Sequence, residues 1–384
     1  MSKIYMDHSA TTPVDPEVSR VMLSALTSSF GNPSSIHGYG NEARKMIEKA
    51  RKQIAALIGA SNEEIVFTSG GTEADNMAIL GTVHTYQGRG RHIITTKIEY
   101  HAVLDTFKHL ESQGYEATYL PVNRLGQVDI ETFKKALRDD TILISIMHAN
   151  NEIGTIEPIE EIGTLAREKS IVFHTDAVQS VGRIPIDVKS LNVDLLSLSG
   201  HKFYGPKGIG ALYIRSGIKP APLLHGGGQE RSWRSGTENV PGIVGLGQAA
   251  EMALDLMPER LHHLNELGQA LTNRILQEIP HAYLTGHPEY RLPGHVSMVF
   301  LGVEGASMLI FLDSEGIAVS GGSACTSNSF DPSHVLTSLG LTKEAAHSSL
   351  RVTLGKDNTY EDIDRMMAVL PGIIERQRLM WSLM

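Results

Sequence analysis

The chain has 384 residues, of which 41% are hydrophobic, 20% charged and 6% aromatic. That is enough for two or three domains with a large core, and far from the bias of a disordered segment or a coiled coil. Lys and Arg total 34 against 43 Asp and Glu, a net charge of -9, which disfavours a dedicated nucleic-acid binder. The single cysteine can form neither an internal disulfide nor a zinc cage, so the chain reads as cytoplasmic. The opening MSKIYMDHSATTPVD has no apolar signal core, and no later run reaches the ~18 apolar residues that a membrane span requires.

From about Glu63 onward, β-branched runs at 64–68, 92–96, 117–120 and 142–146 alternate with segments at 72–86, 102–113 and 159–169 whose apolar residues recur every three or four positions. This alternation predicts βαβ units and a mainly parallel sheet covered by helices. Three further runs, 171–174, 195–198 and 209–214, follow with little helix between them, a departure from simple winding. Beyond His225-Gly226-Gly227-Gly228 the pattern turns to long helices, about 240–256 and 261–279. A second, smaller α+β domain is expected from near Pro258, with strands at 295–301 and 350–354, a helix at 306–313 and a closing helix at 360–380. The methionines near the end, Met366, Met367, Met380 and Met384, read as core packing and a frayed terminus.

The chemistry gathers where strands end. Lys202 stands in Ser199-Gly200-His201-Lys202-Phe203-Tyr204-Gly205-Pro206-Lys207-Gly208, a Gly/Pro-rich turn directly after an apolar strand. A lysine in such a turn is most often merely solvated, but another strand ends in His174-Thr175-Asp176-Ala177-Val178-Gln179, which places an acid on the same carboxyl rim where α/β ligands bind. A lysine for a Schiff base and an acid for a pyridine nitrogen are what pyridoxal phosphate (PLP) requires. Ser69-Gly70-Gly71-Thr72-Glu73-Ala74-Asp75-Asn76 adds a strand end that opens a helix, a cup for phosphate. In Glu99-Tyr100-His101-Ala102 the imidazole could stack on an aromatic cofactor and relay protons. His148-Ala149-Asn150-Asn151-Glu152-Ile153-Gly154 offers an Asn to the ring oxygen or to the substrate.

The one thiol, Cys325, lies in Val319-Ser320-Gly321-Gly322-Ser323-Ala324-Cys325-Thr326-Ser327-Asn328-Ser329. Free cysteines are usually small buried hydrophobes. Small polar neighbours predict instead an exposed loop whose thiol reacts to the extent that it ionises. Two G-x-G-x-x-A strings, Gly38 to Ala43 and Gly245 to Ala250, follow no predicted strand and so lack the context of a dinucleotide site. His262 and His263, adjacent on a helix, cannot converge on a metal and read as surface.

Together these motifs resemble the NifS/IscS (group I) cysteine desulfurases, PLP-dependent enzymes of fold type I in the class-V aminotransferase-like family. The likeness runs from Asp7-His8-Ser9-Ala10-Thr11-Thr12 through SGGTEADN, EYHA, HANNEIGT, HTDAVQ, SGHKFYGPKG, GGGQERSWRSGTEN and SGGSACTS to SLRVTLG. It implies a large α/β domain over 16–258 with a mainly parallel seven-stranded sheet. A smaller α+β domain from 1–15 and 259–384 would carry the cysteine loop. By the same resemblance Lys202 bears the cofactor, Asp176 pairs with the pyridine nitrogen, Gln179 binds the ring hydroxyl, and His101 stacks over the ring. Gly71, Thr72, Ser199 and His201 would hold the phosphate, with Thr237 reaching in from the second subunit of a homodimer. Asn151 would lie beside cofactor and substrate, and Arg351 would pair bidentately with the substrate carboxylate. Ser232-Trp233 and Lys356-Asp357-Asn358 depart from the commoner family pattern outside that set.

The implied reaction converts L-cysteine to L-alanine with Lys202 moving the α-proton, and leaves a persulfide on Cys325. The sulfur would pass to an acceptor protein of iron-sulfur assembly or tRNA thiolation. No intrinsic metal is expected, with Cys325 available as a transient iron-sulfur ligand alongside a partner, and neither nucleic acid nor membrane is bound directly. A fold-type I aminotransferase or a selenocysteine lyase would share the cofactor and differ in what Cys325 does.

Overall fold

The computed structural model describes residues 3–322 and 331–382; Cys325 and Met384 lie outside them. After the short strand β1 (Ile4–Tyr5), helix α1 (Pro16–Thr27) starts on an Asp15 cap with Pro16 in its first turn, and α2 (Gly38–Ile58) ends on Gly59 in the left-handed region. Then come β2 (Ile65–Thr68), α3 (Gly71–Tyr86), β3 (His92–Thr96), α4 (His101–Ser112), β4 (Glu116–Leu120), α5 (Ile130–Ala136), β5 (Thr141–Ser145), α6 (Ile159–Glu168), β6 (Val172–Asp176), β7 (Leu195–Ser199) and β8 (Gly210–Ile214). These strands form one seven-stranded sheet in the order β2-β8-β7-β6-β5-β3-β4. Every neighbouring pair is parallel except those involving β8, which runs antiparallel to both β2 and β7.

Burial on both sheet faces explains why the strands read as unbroken apolar runs. Ile94, Ile144, Leu196 and Ala211 pack on the face covered by α1, α2 and α7 (Val240–Asp255). Their chain neighbours Ile93, Leu143, Leu195 and Leu212 pack on the other, beneath α3 and α4. The crowding of runs after residue 170 has a specific cause: β7 and β8 form an antiparallel pair joined through the turn that carries Lys202. Helices α1 and α2, which the sequence reading left unassigned, cover the sheet together with α7. The two G-x-G-x-x-A strings are close-approach devices there: a Cβ on Gly247 would lie 2.6 Å from Ala50, and one on Gly40 would lie 2.4 Å from the Ser35 carbonyl.

The C-terminal part continues with α8 (Met257–Glu278), β9 (Ala282–Leu284), β10 (His295–Phe300), α9 (Gly305–Ser314), β11 (Ile317–Ala318), α10 (His334–Ser338), α11 (Lys343–His347), β12 (Ser349–Thr353) and α12 (Tyr360–Ser382). Helix α8 begins four residues before the expected 261 because Pro258 is tolerated in a first turn. An antiparallel sheet β12-β10-β9 and the parallel pair β1-β11 share a second core containing Met6, Leu271, Met298, Leu350, Met366 and Met367. The N-terminal residues thus pack with the C-terminal ones, while Met380 is 54% exposed. His262 is exposed, and His263 is hydrogen-bonded by Nε2 to the Asn358 carbonyl.

Two buried carboxyl groups hold connections in place. Glu230 sits in a turn with three consecutive left-handed residues, Glu230, Arg231 and Ser232, and pairs with both terminal nitrogens of Arg51 at 2.9 and 2.8 Å while accepting the Phe67 N–H at 2.8 Å. Glu157 accepts the Val128 N–H at 2.9 Å through one oxygen, and its other oxygen is buried without a partner.

Burial pushes the Glu157 carboxyl up from 4.5 to about 8. An acid with a raised folded pKa favours the native state only while protonated. Its contribution is therefore present below the unfolded value and is lost as pH rises toward about 8. Glu157→Gln keeps an acceptor for Val128 and does not titrate. Chemical denaturation should show its stability advantage over the parent growing by about 2–4 kcal/mol between about pH 5 and about pH 9; a difference that does not change with pH contradicts this.

Candidate active site

The parallel strands deliver their last residues to one rim, and the chain breaks away from the sheet there at a few small residues. Strand β6 ends on Asp176, β7 ends on Ser199, and a single 3₁₀ turn, Gly200–Lys202, follows at once. Across from them α3 opens at Gly71 with no side-chain cap, so its first amides and the positive end of its dipole are left for a ligand. A Cβ on Gly71 would come within 2.6 Å of Val178 Cγ2, so only glycine brings the helix this close to the loop after β6.

These ends enclose a cavity of about 220 Å3 lined by Gly71, Thr72, Asn151, Asp176, Gln179, Ser199, His201, Lys202 and Arg351. Three other expected site residues are not among its walls. His101 is the first residue of α4, with its ring 5.1 Å from that of His334 and nearly perpendicular to it; its neighbour Tyr100 lines the cavity. Thr237 is exposed in a separate cleft beside Thr68 and Ser69. Cys325 lies outside the described residues.

Lys202 Nζ donates to the carbonyls of Ser9 at 2.6 Å and Ala10 at 3.0 Å. The Ser9 carbonyl also accepts Gln179 Nε2 at 3.0 Å, leaving Gln179 Oε1 buried and unpartnered. Asp176 accepts the Val178 N–H at 2.9 Å; burial raises its carboxyl to about 6 against the opposing pull of that bond and of Lys202. Burial, reinforced by Lys202 and Lys207, lowers His201 to about 4, and its ring meets Thr11 Oγ1 at 3.1 Å. His201 is therefore neutral at pH 7.

Arg351, on β12, reaches the cavity from the second core. It is 2% exposed, donates to the Asn151 carbonyl and to Asp7 Oδ1 at 2.9 Å each, and leaves Nε buried without a partner. Asn151 lines the cavity, whereas the Asn150 side chain is spent on the backbone, donating to the Ile98 carbonyl and accepting from Glu152 and Ile153. Sequence reasoning missed Asp7 and the Ser9-Ala10 carbonyls, whose contacts span most of the chain. It also missed Asp75, which lines the cavity, although its place four residues after Gly71 puts both on one face of α3.

The residues present fit PLP. An uncapped helix start of small residues suits a phosphate, Asp176 suits a protonated ring nitrogen, and Lys202 is an amine at the cavity wall. The unpartnered Gln179 Oε1 and Arg351 Nε inside the same space mark polar groups that a ligand can satisfy.

Comparison with known proteins agrees with this architecture. The aminotransferase class-V family matches residues 4–366. A protein of Methanosarcina thermophila named cysteine desulfurase IscS is 55% identical over 377 residues, covering 98% of this chain and 93% of its own. Among solved structures, a NifS-like protein superposes with a TM-score of 0.90 at 39% identity over 100% of both chains. SspA, solved in complex with cysteine, superposes with a TM-score of 0.81 at 40% identity, covering 92% of this chain and 99% of that one. With its sequence similar over nearly full length and its strand ends meeting at one cavity, the chain belongs to the class-V aminotransferase family, among the NifS/IscS cysteine desulfurases.

Proposed function

We propose that this chain takes the sulfur from L-cysteine, releases L-alanine and holds the sulfur as a persulfide on Cys325, with PLP on Lys202. The observation that carries the reading is the convergence of Lys202, Asp176 and the start of α3 on one cavity that Arg351 enters from the opposite side. When bound, the cofactor supplies an electrophilic carbon for the substrate amine and a ring that accepts electrons.

The chain's own residues supply the rest. Asp176 holds a proton at the ring nitrogen. Gly71, Thr72, Ser199 and neutral His201 hold the phosphate, and Gln179 faces the ring hydroxyl. Arg351 fixes the substrate carboxylate by exchanging its Asp7 partner for the incoming anion, with Asn151 beside it. Lys202 would take the α-proton, and His101, one residue from the cavity-lining Tyr100, would move protons at the mouth. The Cys325 thiolate then attacks the substrate sulfur. The S–S bond forms as the Cβ–S bond breaks, and the electron pair stays with the carbon fragment, which is protonated to alanine.

Supporting a homodimer, Thr237 is exposed on a cleft next to Ser69 and so is free to complete a neighbour's phosphate site. The sulfur passes to an acceptor protein of iron-sulfur assembly or tRNA thiolation, with Cys325 a transient cluster ligand at most. Among the described residues no helix is long and apolar enough to cross a membrane, and a lone cysteine suits the cytoplasm.

Cys325→Ala should keep the visible absorbance of the purified holoenzyme and its change on adding L-cysteine. Sulfide release under reductant, assayed with alanine in the same tube, should fall about 1,000-fold or more. Turnover independent of Cys325 would favour an aminotransferase or lyase. Arg351→Lys loses bidentate pairing, so steady-state kinetics should show kcat/KM for L-cysteine reduced about 10- to 100-fold, mostly through KM.

A further inference from the structure

Asp75 has no place in the mechanism above, yet it is 1% exposed, lines the cavity, and leaves Oδ1 buried without a hydrogen-bond partner. His174 Nε2 lies 3.6 Å from Asp75 Oδ1, and the Ser197 hydroxyl acts on the same carboxyl. Ser197 stands directly opposite Asp176 in the β6–β7 register. The same hydroxyl lies 2.9 Å from His174 Nε2, and His174 Nδ1 lies 2.8 Å from Ser145 Oγ. A buried polar row of Ser145, His174 and Ser197 therefore runs beside Asp75, and Asp176 stands next to it in the strand register.

The charges in this space do not balance if both acids are ionised. His174 is held neutral, its pKa lowered to about 3 by burial. The other charged group acting on Asp75 is Glu99, from the segment before α4, a further acid. Lys202 is the cation that acts on Asp176. Two carboxylates facing one amine in a dry cavity repel each other, and the usual resolution is that one keeps its proton. Burial and the like charge of Asp176 both disfavour ionised Asp75.

We infer that Asp75 is a positioning residue for Asp176: a neutral carboxylic acid, set beside His174 and Ser197, that leaves Asp176 as the single carboxylate facing the ring nitrogen. This rests on the cofactor reading given above. A neutral Asp75 donates one hydrogen bond across the floor and adds no charge. An ionised one would raise the proton affinity of Asp176 and weaken its hold on the protonated ring nitrogen.

The test compares wild type with Asp75→Asn and Asp75→Ala, folding being checked by thermal melting. The infrared carbonyl region of the apoprotein should lose a protonated-carboxyl band in Asp75→Asn; if nothing is lost, Asp75 is ionised and the inference is overturned. In the PLP-loaded proteins, Asp75→Asn should keep the visible band and its response to pH, because an amide donates in place of the acid. Asp75→Ala should make that band titrate within about pH 6–9 and weaken PLP binding about tenfold, read by fluorescence titration. An Ala variant that matches wild type in both readings, or an Asn variant that behaves like Ala, overturns the inference. If wild type itself takes up no PLP, the cofactor reading fails, and the infrared difference still decides the state of Asp75.

Discussion

A carboxyl group placed in a dry cavity is costly unless positive charge or hydrogen bonds face it, and the rim of the large sheet is arranged around that cost at Asp176. Strand β6 carries the acid to the carboxyl end of the sheet, where every parallel neighbour also stops. The Val178 N–H and Lys202 oppose the desolvation, and Asp176 still remains raised to about 6. An acid poised in this way favours a cationic heterocycle as its partner. A protonated ring nitrogen would supply positive charge there if the Lys202 amine were tied to a cofactor.

Lys202 reaches that acid because the backbone around it is allowed to fold back within a few residues. A Cβ on Gly205 would approach the Gly200 carbonyl at 2.8 Å, and one on left-handed Gly182 would meet the Phe203 Cβ at 2.6 Å. Tyr204 itself takes a positive φ of 69°, held by its N–H donating to Thr12 Oγ1 at 2.7 Å and its hydroxyl accepting the Lys356 N–H at 2.7 Å. The antiparallel return into β8 is the consequence. The turn that interrupts parallel winding is the same turn that presents the amine.

Much of this was legible in the sequence. Strands buried on both faces appear as apolar runs whatever their neighbours, so β2 to β8 were found with ends shifted by at most two residues. Helices α1 and α2 precede the first strand of the large sheet and so stand outside the strand-helix alternation that marks the rest. Strand β9 escaped for a physical reason: Tyr283 is 52% exposed, and neither flanking residue is fully buried, so no face is marked out. At the site, Lys202, Asp176 and Gly71 announce themselves through strand-end context. The pairing of Arg351 with Asp7 and the carbonyls of Ser9 and Ala10 do not, since local pattern holds no record of contacts between opposite ends of a chain.

Those end-to-end contacts bear on how the cavity works. Residues 7–10 are held between the two cores: β1 pairs with β11, Met6 packs in the second core, and Asp7 bridges to Thr353. The same stretch gives Ser9 and Ala10 carbonyls to Lys202, a Ser9 carbonyl to Gln179 and a His8 carbonyl to Arg183. The amine that would carry the cofactor and the guanidinium that would carry the substrate carboxylate therefore both bond to one four-residue segment. Cofactor attachment would draw the Lys202 amine from the Ser9 and Ala10 carbonyls, and a substrate carboxylate would take the place of Asp7 on Arg351, so that the guanidinium is not left bare in a low-dielectric space.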